Sequence, residues 1–314
     1  MKISKLNYFL AAAEELNITR AAQKLYITQQ SLSENIAQLE EEYHVTLFRR
    51  RPSLSLTPAG EKFAALARQM IGLEAHIRAE MADIAQQNAG VLSIGVRRPY
   101  SEILIPHVLP QFVREHPHIQ VHVFASSTPE MAQQLIDGKI DLCIGIARYM
   151  KNRNFENTTL WSDRYCIVIP DSILRERFGM TEDDLQGGRE PDFSKLAEVP
   201  LILRDSKANS RATSDLFLLH IGVASPNVLA ELKDPILPLR YCAQGLGVTF
   251  ALEKVFNHFT RFDMQGEKLH AVPLPDSALD PSTSLCTYKG RYLSHAAQDF
   301  IELVKEAGAS GKYF

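Results

Sequence analysis

At 314 residues, 45% hydrophobic and 23% charged, the chain has the composition of an ordinary soluble globular protein and the length for two or three domains, each with its own core. A formal net charge of −3 excludes a polycation, so any nucleic-acid surface must be local. No apolar stretch approaches the roughly 18–20 residues of a membrane helix. The four cysteines (Cys143, Cys166, Cys242, Cys286) have no compact spacing, which predicts buried thiols in a reducing cytoplasm.

The opening stretch MKISKLNYFLAAAEEL imitates a signal peptide in its two lysines and short apolar run. Leu6, Phe9 or Leu10, Ala13 and Leu16 nevertheless recur at helical spacing, which reads as a buried helix face. Thr19 is placed to cap a helix from Arg20 to Leu25, and Thr28 the next, from Gln29 to about Glu42, with Tyr26-Ile27 as the whole connection. On the second helix Leu32, Ile36 and Leu39 form the inward stripe. Gln30, Glu34, Ala37 and Glu41 point outward, with Gln29 and Ser33 on the flank. VTLFRRRPSLSLTPAGE then reads as a strand, a basic tip at Arg49-Arg50-Arg51 and a returning strand, and Thr57-Pro58 supplies a cap and a first-turn proline to the following helix. That helix, Ala59 to about Asn88, carries Phe63, Leu66, Met70, Leu73, Ile77, Met81 and Ile84 at steps of 3, 4, 3, 4, 4 and 3. The spacing is close to an a/d seam and predicts a coiled-coil partner, the alternative being packing on its own chain.

From Val91 the pattern changes. VLSIGV, IQVHVF, DLCIGI, YCIVIP, PLILR, GVTFAL and SLCTY are β-type runs, with helical stretches at Ser101–Glu115, Pro129–Asp137, Ser210–His220 and His295–Ala307. Strands separated by helices predict parallel sheets with helices on their faces. Two sheets fit, the chain crossing near Tyr165–Pro170 and returning near Phe262–Ala271, with Asp184–Ser194 as a loop.

A glutamine-rich face on a capped helix after a tight turn suits a DNA-reading helix, since glutamine pairs bidentately with adenine and a helix N-terminus receives a phosphate. The same residues suit a plain helical hairpin equally well. The arginines at the hairpin tip are placed to touch phosphates or a minor groove. Elsewhere, Gly245-x-Gly247 lacks the third glycine of a dinucleotide loop, and His116, His118 and His122 straddle a turn into a strand rather than forming a metal set. No G-x-S-x-G, H-E-x-x-H or P-loop occurs, so no catalytic residue, cofactor or metal is expected.

The stretch from Leu6 to Glu61 resembles the N-terminal domain of the LysR-type transcriptional regulators, ungapped, through F-x-x-A-A-E, T-R-A-A-x-x-L, Q-x-x-L-S, I-x-x-L-E, L-F-x-R and L-T-P-A-G-E. The resemblance continues more thinly through LSIGV, Pro106, DGKIDLCIGI, PLILR and QGLGV. It implies an α/β protein overall: a winged helix-turn-helix over residues 1–58, a dimerising linker helix over 59–89, and an effector domain over 90–314 resembling the type 2 periplasmic binding proteins. Lobe I is then about 91–164 and 271–314, and lobe II about 165–270. The implied protein is a cytoplasmic homodimer or homotetramer, not an enzyme and not membrane-bound, that binds double-stranded operator DNA and a small-molecule effector between the lobes.

By the same resemblance Thr28, Gln29, Gln30, Ser33 and Glu34 read DNA, with Arg20, Arg49 and Arg50 on its backbone. Two residues depart from the family's habit, which often has proline at the position of Gln30 and a basic residue at that of Glu34; a carboxylate there can accept from cytosine N4 but cannot bind phosphate. In the effector domain Thr128 matches a hydroxyl position used for ligand, with a helix cap as the alternative. Ser101 and the neighbouring Arg97-Arg98 open the first helix of that domain, and Ser206 and Lys207 follow PLILR on the facing lobe. Convergence of Arg98, Lys207 and helix N-termini favours a carboxylate or phosphate ligand. Two alternatives remain at this level: a solute-binding module, which requires export, and an enzyme on the α/β lobes, which requires turnover.

Overall fold

Leu6, Phe9, Leu10 and Ala12 share one side of helix α1 (Ile3–Glu15), and their burial seats it against α2 (Ile18–Lys24) and α3 (Gln29–Tyr43) in the computed structural model, which describes residues 2–50, 53–84, 89–275 and 281–311. Helix α2 is capped by Asn17, whose carboxamide oxygen accepts from the Arg20 N–H at 3.0 Å, not by Thr19. Asn17 is extended, which suits a cap, so the helix opens at Ile18. Helix α3 is capped by Thr28, whose Oγ1 accepts from the Ser31 N–H at 3.1 Å, and buries Leu32, Ile36 and Leu39 as the spacing predicts. Two short antiparallel strands follow, β1 (Phe48–Arg49) and β2 (Ser55–Leu56), pairing Phe48 with Leu56. Arg51, which follows β1 in sequence, lies outside the described residues.

Thr57 joins this wing to the next helix, α4 (Pro58–Ile84): its Oγ1 accepts from the Gly60 N–H at 2.9 Å and donates to the Thr46 carbonyl at 2.6 Å. Leu66, Met70, Leu73, Ile77 and Met81 are 44–61% exposed along α4, the spacing predicted for a seam. Phe63 differs. It packs edge-on to Phe9 at 4.9 Å inside the N-terminal core, because the first turns of α4 close that domain. The side chain of Ile84 and residues 85–88, where the predicted helix ends, lie outside the described residues.

The remaining chain runs β3 (Gly90–Arg97), α5 (Arg98–Ile103), α6 (Ile105–Glu115), β4 (Ile119–Ser126), α7 (Thr128–Ile136), β5 (Leu142–Ile146), β6 (Phe155–Trp161), β7 (Tyr165–Pro170), α8 (Asp171–Ile173), α9 (Glu182–Gln186), β8 (Leu201–Arg204), α10 (Asn209–His220), β9 (Val228–Leu232), α11 (Leu237–Cys242), β10 (Thr249–Leu252), α12 (Glu253–His258), β11 (Leu269–Pro273), β12 (Thr283–Tyr288) and α13 (His295–Ser310). One sheet has the order β4-β3-β5-β12-β6. In the other lobe β7 lies between β10 and β11, and the β8-β9 pair joins through a bridge from Leu201 to Val248.

The sheets are mixed, not parallel as expected. Helical crossovers make β3 parallel to β4 and β5, and β8 parallel to β9. Strand β12 arrives from the other lobe and runs antiparallel between β5 and β6, and β10 and β11 flank β7 in the same sense. The chain leaves the first lobe between Trp161 and Tyr165. It returns after Pro273, later than predicted, because β11 still belongs to the second sheet. The predicted loop at Asp184–Ser194 begins inside α9, which Thr181 and Asp184 cap reciprocally. Among the described residues no helix is long and apolar enough to cross a membrane.

Candidate nucleic-acid face and inter-lobe cleft

The stripe of Leu32, Ile36 and Leu39 fixes the rotation of α3, and that rotation leaves Thr28, Gln29, Gln30 and Glu34 exposed, with Ser33 half-buried at the flank. The Gln30 amide donates to the Glu34 carboxylate at 2.9 Å, one helical turn away. The Thr19 hydroxyl donates to the Gln29 side-chain oxygen at 3.2 Å, tying the first residue of α3 to α2. Both glutamines are therefore held rather than free to sweep. Glu40 ties the wing to the same helix, its Oε1 accepting from the N–H groups of Leu47 and Phe48 at 2.7 and 3.1 Å.

The three arginines expected on the DNA backbone are all exposed. Arg20 donates to the Glu15 carbonyl at 3.2 Å and keeps an exposed side chain. Arg49 lies on the exposed side of β1, and Arg50, 66% exposed, approaches Glu40 only to 3.9 Å. Sequence reasoning passed over Tyr26. It is 97% exposed at the turn between α2 and α3 with φ of +54°, a left-handed conformation for which a tyrosine carries no sequence signal.

The second site is a cleft of about 710 Å³ between the lobes. Of the residues expected there, Arg98, Thr128 and Lys207 line it, while Ser101 and Ser206 do not. The Ser101 hydroxyl turns back to donate to the Arg98 carbonyl at 2.8 Å, and Ser206 lies exposed on the turn before α10. Thr128 is not the cap of α7. Ser127 is, in a reciprocal pair with Glu130, which leaves Thr128 1% exposed with its Oγ1 accepting from the Ile146 N–H at 3.2 Å. Arg98 is already committed: its guanidinium lies 3.2 Å from Asp234 of the opposite lobe. The other oxygen of Asp234 accepts from the N–H groups of Ile236 and Leu237.

Two lining residues, Arg204 and Tyr165, were missed by the sequence, and Arg97 was noted only as the neighbour of Arg98. Arg97 Nη1, Arg204 Nε and the Tyr165 hydroxyl are all buried without a hydrogen-bond partner among the described residues. Burial pulls the Arg204 guanidinium below the usual arginine range, with Asp234 opposing the effect. Arg97 ends β3 and Arg204 ends β8, and a basic residue closing an apolar α/β strand was the available signal, because ligand crevices open at the carboxyl ends of such strands.

The remaining chemistry is structural. Across β5 and β12, Cys143 faces Cys286 in a buried cluster, and the neighbouring Cys286 thiol together with burial raises the Cys143 thiol well above its ordinary range, which disfavours the reactive thiolate. His116 pairs with Asp299 at 3.0 Å and stacks on Phe112. Among the described residues no group of His, Cys, Asp and Glu could hold a metal ion.

Compared with known proteins, residues 3–61 match the bacterial regulatory helix-turn-helix proteins of the lysR family, and residues 85–309 match the LysR substrate binding domain. Among curated relatives, the HTH-type transcriptional regulator CysB of Haemophilus influenzae is 27% identical over 252 residues, covering 79% of this chain and 74% of its own. The Hca operon transcriptional activator HcaR of Escherichia coli is 27% identical and covers 99% of both chains. Full-length CbnR solved with its target DNA superposes with a TM-score of 0.63 at 19% identity, covering 98% of this chain and 100% of that one. Full-length BenM gives 0.54 at 21% identity, covering 100% and 99%. At these identities the two solved structures speak for the fold.

Proposed function

The chain belongs to the LysR family of transcriptional regulators, and from that premise we propose how its parts divide the work. Helix α3 and the wing, within residues 1–58, read operator DNA. The linker over 59–89 pairs two copies along the exposed stripe of α4. The domain over 90–314 takes a small-molecule effector in the cleft between its lobes. The reading is of a cytoplasmic binding protein rather than an enzyme.

One observation carries it: α3 is pinned by three buried residues so that Thr28, Gln29, Gln30 and Glu34 are exposed, in a domain that also exposes Arg20, Arg49 and Arg50. Glutamine offers adenine both a donor and an acceptor, Glu34 offers cytosine N4 an acceptor, and Arg20, Arg49 and Arg50 supply phosphate contacts. Lobe closure on an effector shifts the population of one DNA-binding arrangement over another only if the two arrangements hold the effector with different affinity.

The test uses the full-length protein and fluorescent duplexes in an anisotropy titration. DNA flanking the protein's own gene is expected to bind on the order of 10³-fold or more tighter than a scramble of equal base composition at physiological salt. Equal affinity for the two duplexes overturns the reading.

A further inference from the structure

The geometry points to an organic dianion as the ligand of the inter-lobe cleft, an apolar skeleton with two acidic groups clamped between Arg97 of one lobe and Arg204 of the other. This deepens the proposed function and rests on its placing of the effector in that cleft.

The argument starts from what the protein leaves unmade. Buried polar atoms are nearly always hydrogen-bonded, and a charged donor left bare costs more than a neutral one. Here two guanidinium nitrogens, Arg97 Nη1 and Arg204 Nε, are without a hydrogen-bond partner among the described residues in the same cleft, one from each facing lobe. Each guanidinium has one anchor: Arg97 lies over the Tyr100 ring at 5.7 Å, and Arg204 Nη2 donates to the Lys233 carbonyl at 2.8 Å. The anchors hold the forks in place without neutralising them. The nearby acids are occupied, Asp234 by Arg98 and Glu130 in the cap of α7.

A second, independent feature agrees. Helix α10 opens beside Lys207 with Ala208 at its cap position, which provides no side-chain acceptor, and Lys207, Ala208 and Ser210 all line the cleft. A twelve-residue helix thus presents uncapped N–H groups and the positive end of its dipole to the same cavity. Burial presses the Arg204 guanidinium toward deprotonation, with Arg97 and Arg98 adding to it and Asp234 and Asp205 opposing it, and an entering anion relieves that pressure. Two acidic groups on one skeleton give each fork an anion of its own, and the apolar lining at Ile202, Phe250 and Val255 suits the carbon chain between them.

The experiment is a calorimetric and thermal-shift titration of the full-length protein with four-carbon to eight-carbon dicarboxylates and with carboxylates that also carry a phosphate. Controls are the matching monocarboxylates, the neutral diamides and inorganic phosphate. A dianion is expected to bind at least tenfold more tightly than its monoanion. Arg97→Gln and Arg204→Gln are each expected to weaken it at least tenfold while melting, without ligand, no lower than wild type, since each substitution removes a bare buried charge. Dicarboxylates and carboxylate phosphates separate the two sources of the second charge. Equal binding of diamide and diacid, unchanged affinity in both variants, or no dianion binding up to 10-millimolar order overturns the inference. Loss of operator discrimination by the unliganded wild type would instead strike the regulator reading.

Discussion

Gln30 and Arg50 separate the two tasks of a DNA-binding face. Gln30, held by Glu34, is proposed to read bases; Arg50 is an exposed cation that approaches Glu40 only to 3.9 Å. Gln30→Ala is expected to cost about 1–3 kcal/mol on the operator and little on scrambled DNA. Arg50→Ala should weaken both alike and lower the salt slope by about one, with no loss of stability, because exposed ion pairs contribute so little. Anisotropy titrations across a salt series check both, and a uniform loss for Gln30→Ala would make it a positioning contact. A second residue-scale prediction concerns Asp163, between the lobes, which accepts from the Tyr100 hydroxyl at 2.7 Å and from the N–H groups of Arg164 and Lys254. Burial raises its carboxyl above the ordinary aspartate range, the hydrogen bonds opposing this. A raised value means stability that is present below the unfolded pKa and lost as pH rises through the folded one. Asp163→Asn keeps both backbone bonds on its oxygen and reverses the Tyr100 bond, so urea midpoints should show a flatter pH profile and no loss at pH 7. Asp163→Ala strands the donors, at about 1–3 kcal/mol for each. At this scale Thr28 was legible because capping is local. Asn17 and Thr19 were not separable, since both can cap and packing chose between starts two residues apart.

Helix α4 was legible through its period, and the same period misled at one end. Phe63 fits the register of the seam but fills the N-terminal core, because one helix serves two partners in succession. Beyond it the exposed stripe is the element's unmet demand. Leu73→Glu with Ile77→Glu is expected to turn the assembly into monomers in sedimentation velocity while leaving helical content unchanged, since these side chains are 61% and 52% exposed in the single chain. A variant that stays dimeric would remove the stripe from the interface. Of the strands that escaped sequence reading, β6, β9 and β11, the first two did so for a different reason. Both lie at sheet edges, where one neighbour and partial exposure erase the apolar run that marked β5 and β7. Strand direction was equally hidden, because it depends on which lobe the chain last visited.

At the scale of the molecule, α7 links the two halves of the proposed function. Its first turn lines the cleft through Thr128 and Glu130, and its far end meets the linker. There Asp137 approaches Arg68 of α4 to 3.9 Å, Lys139 approaches Glu14 of α1 to 3.6 Å, and Arg291 donates to the Leu135 carbonyl at 2.6 Å. Between these contacts Gly72 and Gly138 meet backbone to backbone, and a Cβ on Gly72 would come within 2.8 Å of the Gly138 Cα. No sequence pattern marks that contact, since it joins residues from separate domains that carry no side chains. Gly72→Ala therefore has a sign that reports the packing. In a free helix the change should stabilise by about 0.8–1 kcal/mol through helix propensity. Against lobe I the new methyl meets backbone, which cannot turn aside as a side chain would, and the helix must lift away. The expected result is a lower melting temperature for the full-length protein. Gly179→Ala serves as the control for left-handed strain alone, since nothing lies within 4 Å of a Cβ there, and Gly138→Ala, with φ of +72°, should combine strain and collision and lose most. If Gly72→Ala instead raises the melting temperature, α4 stands free of lobe I in solution, and a signal from the cleft must reach the DNA-binding face by a route other than α7.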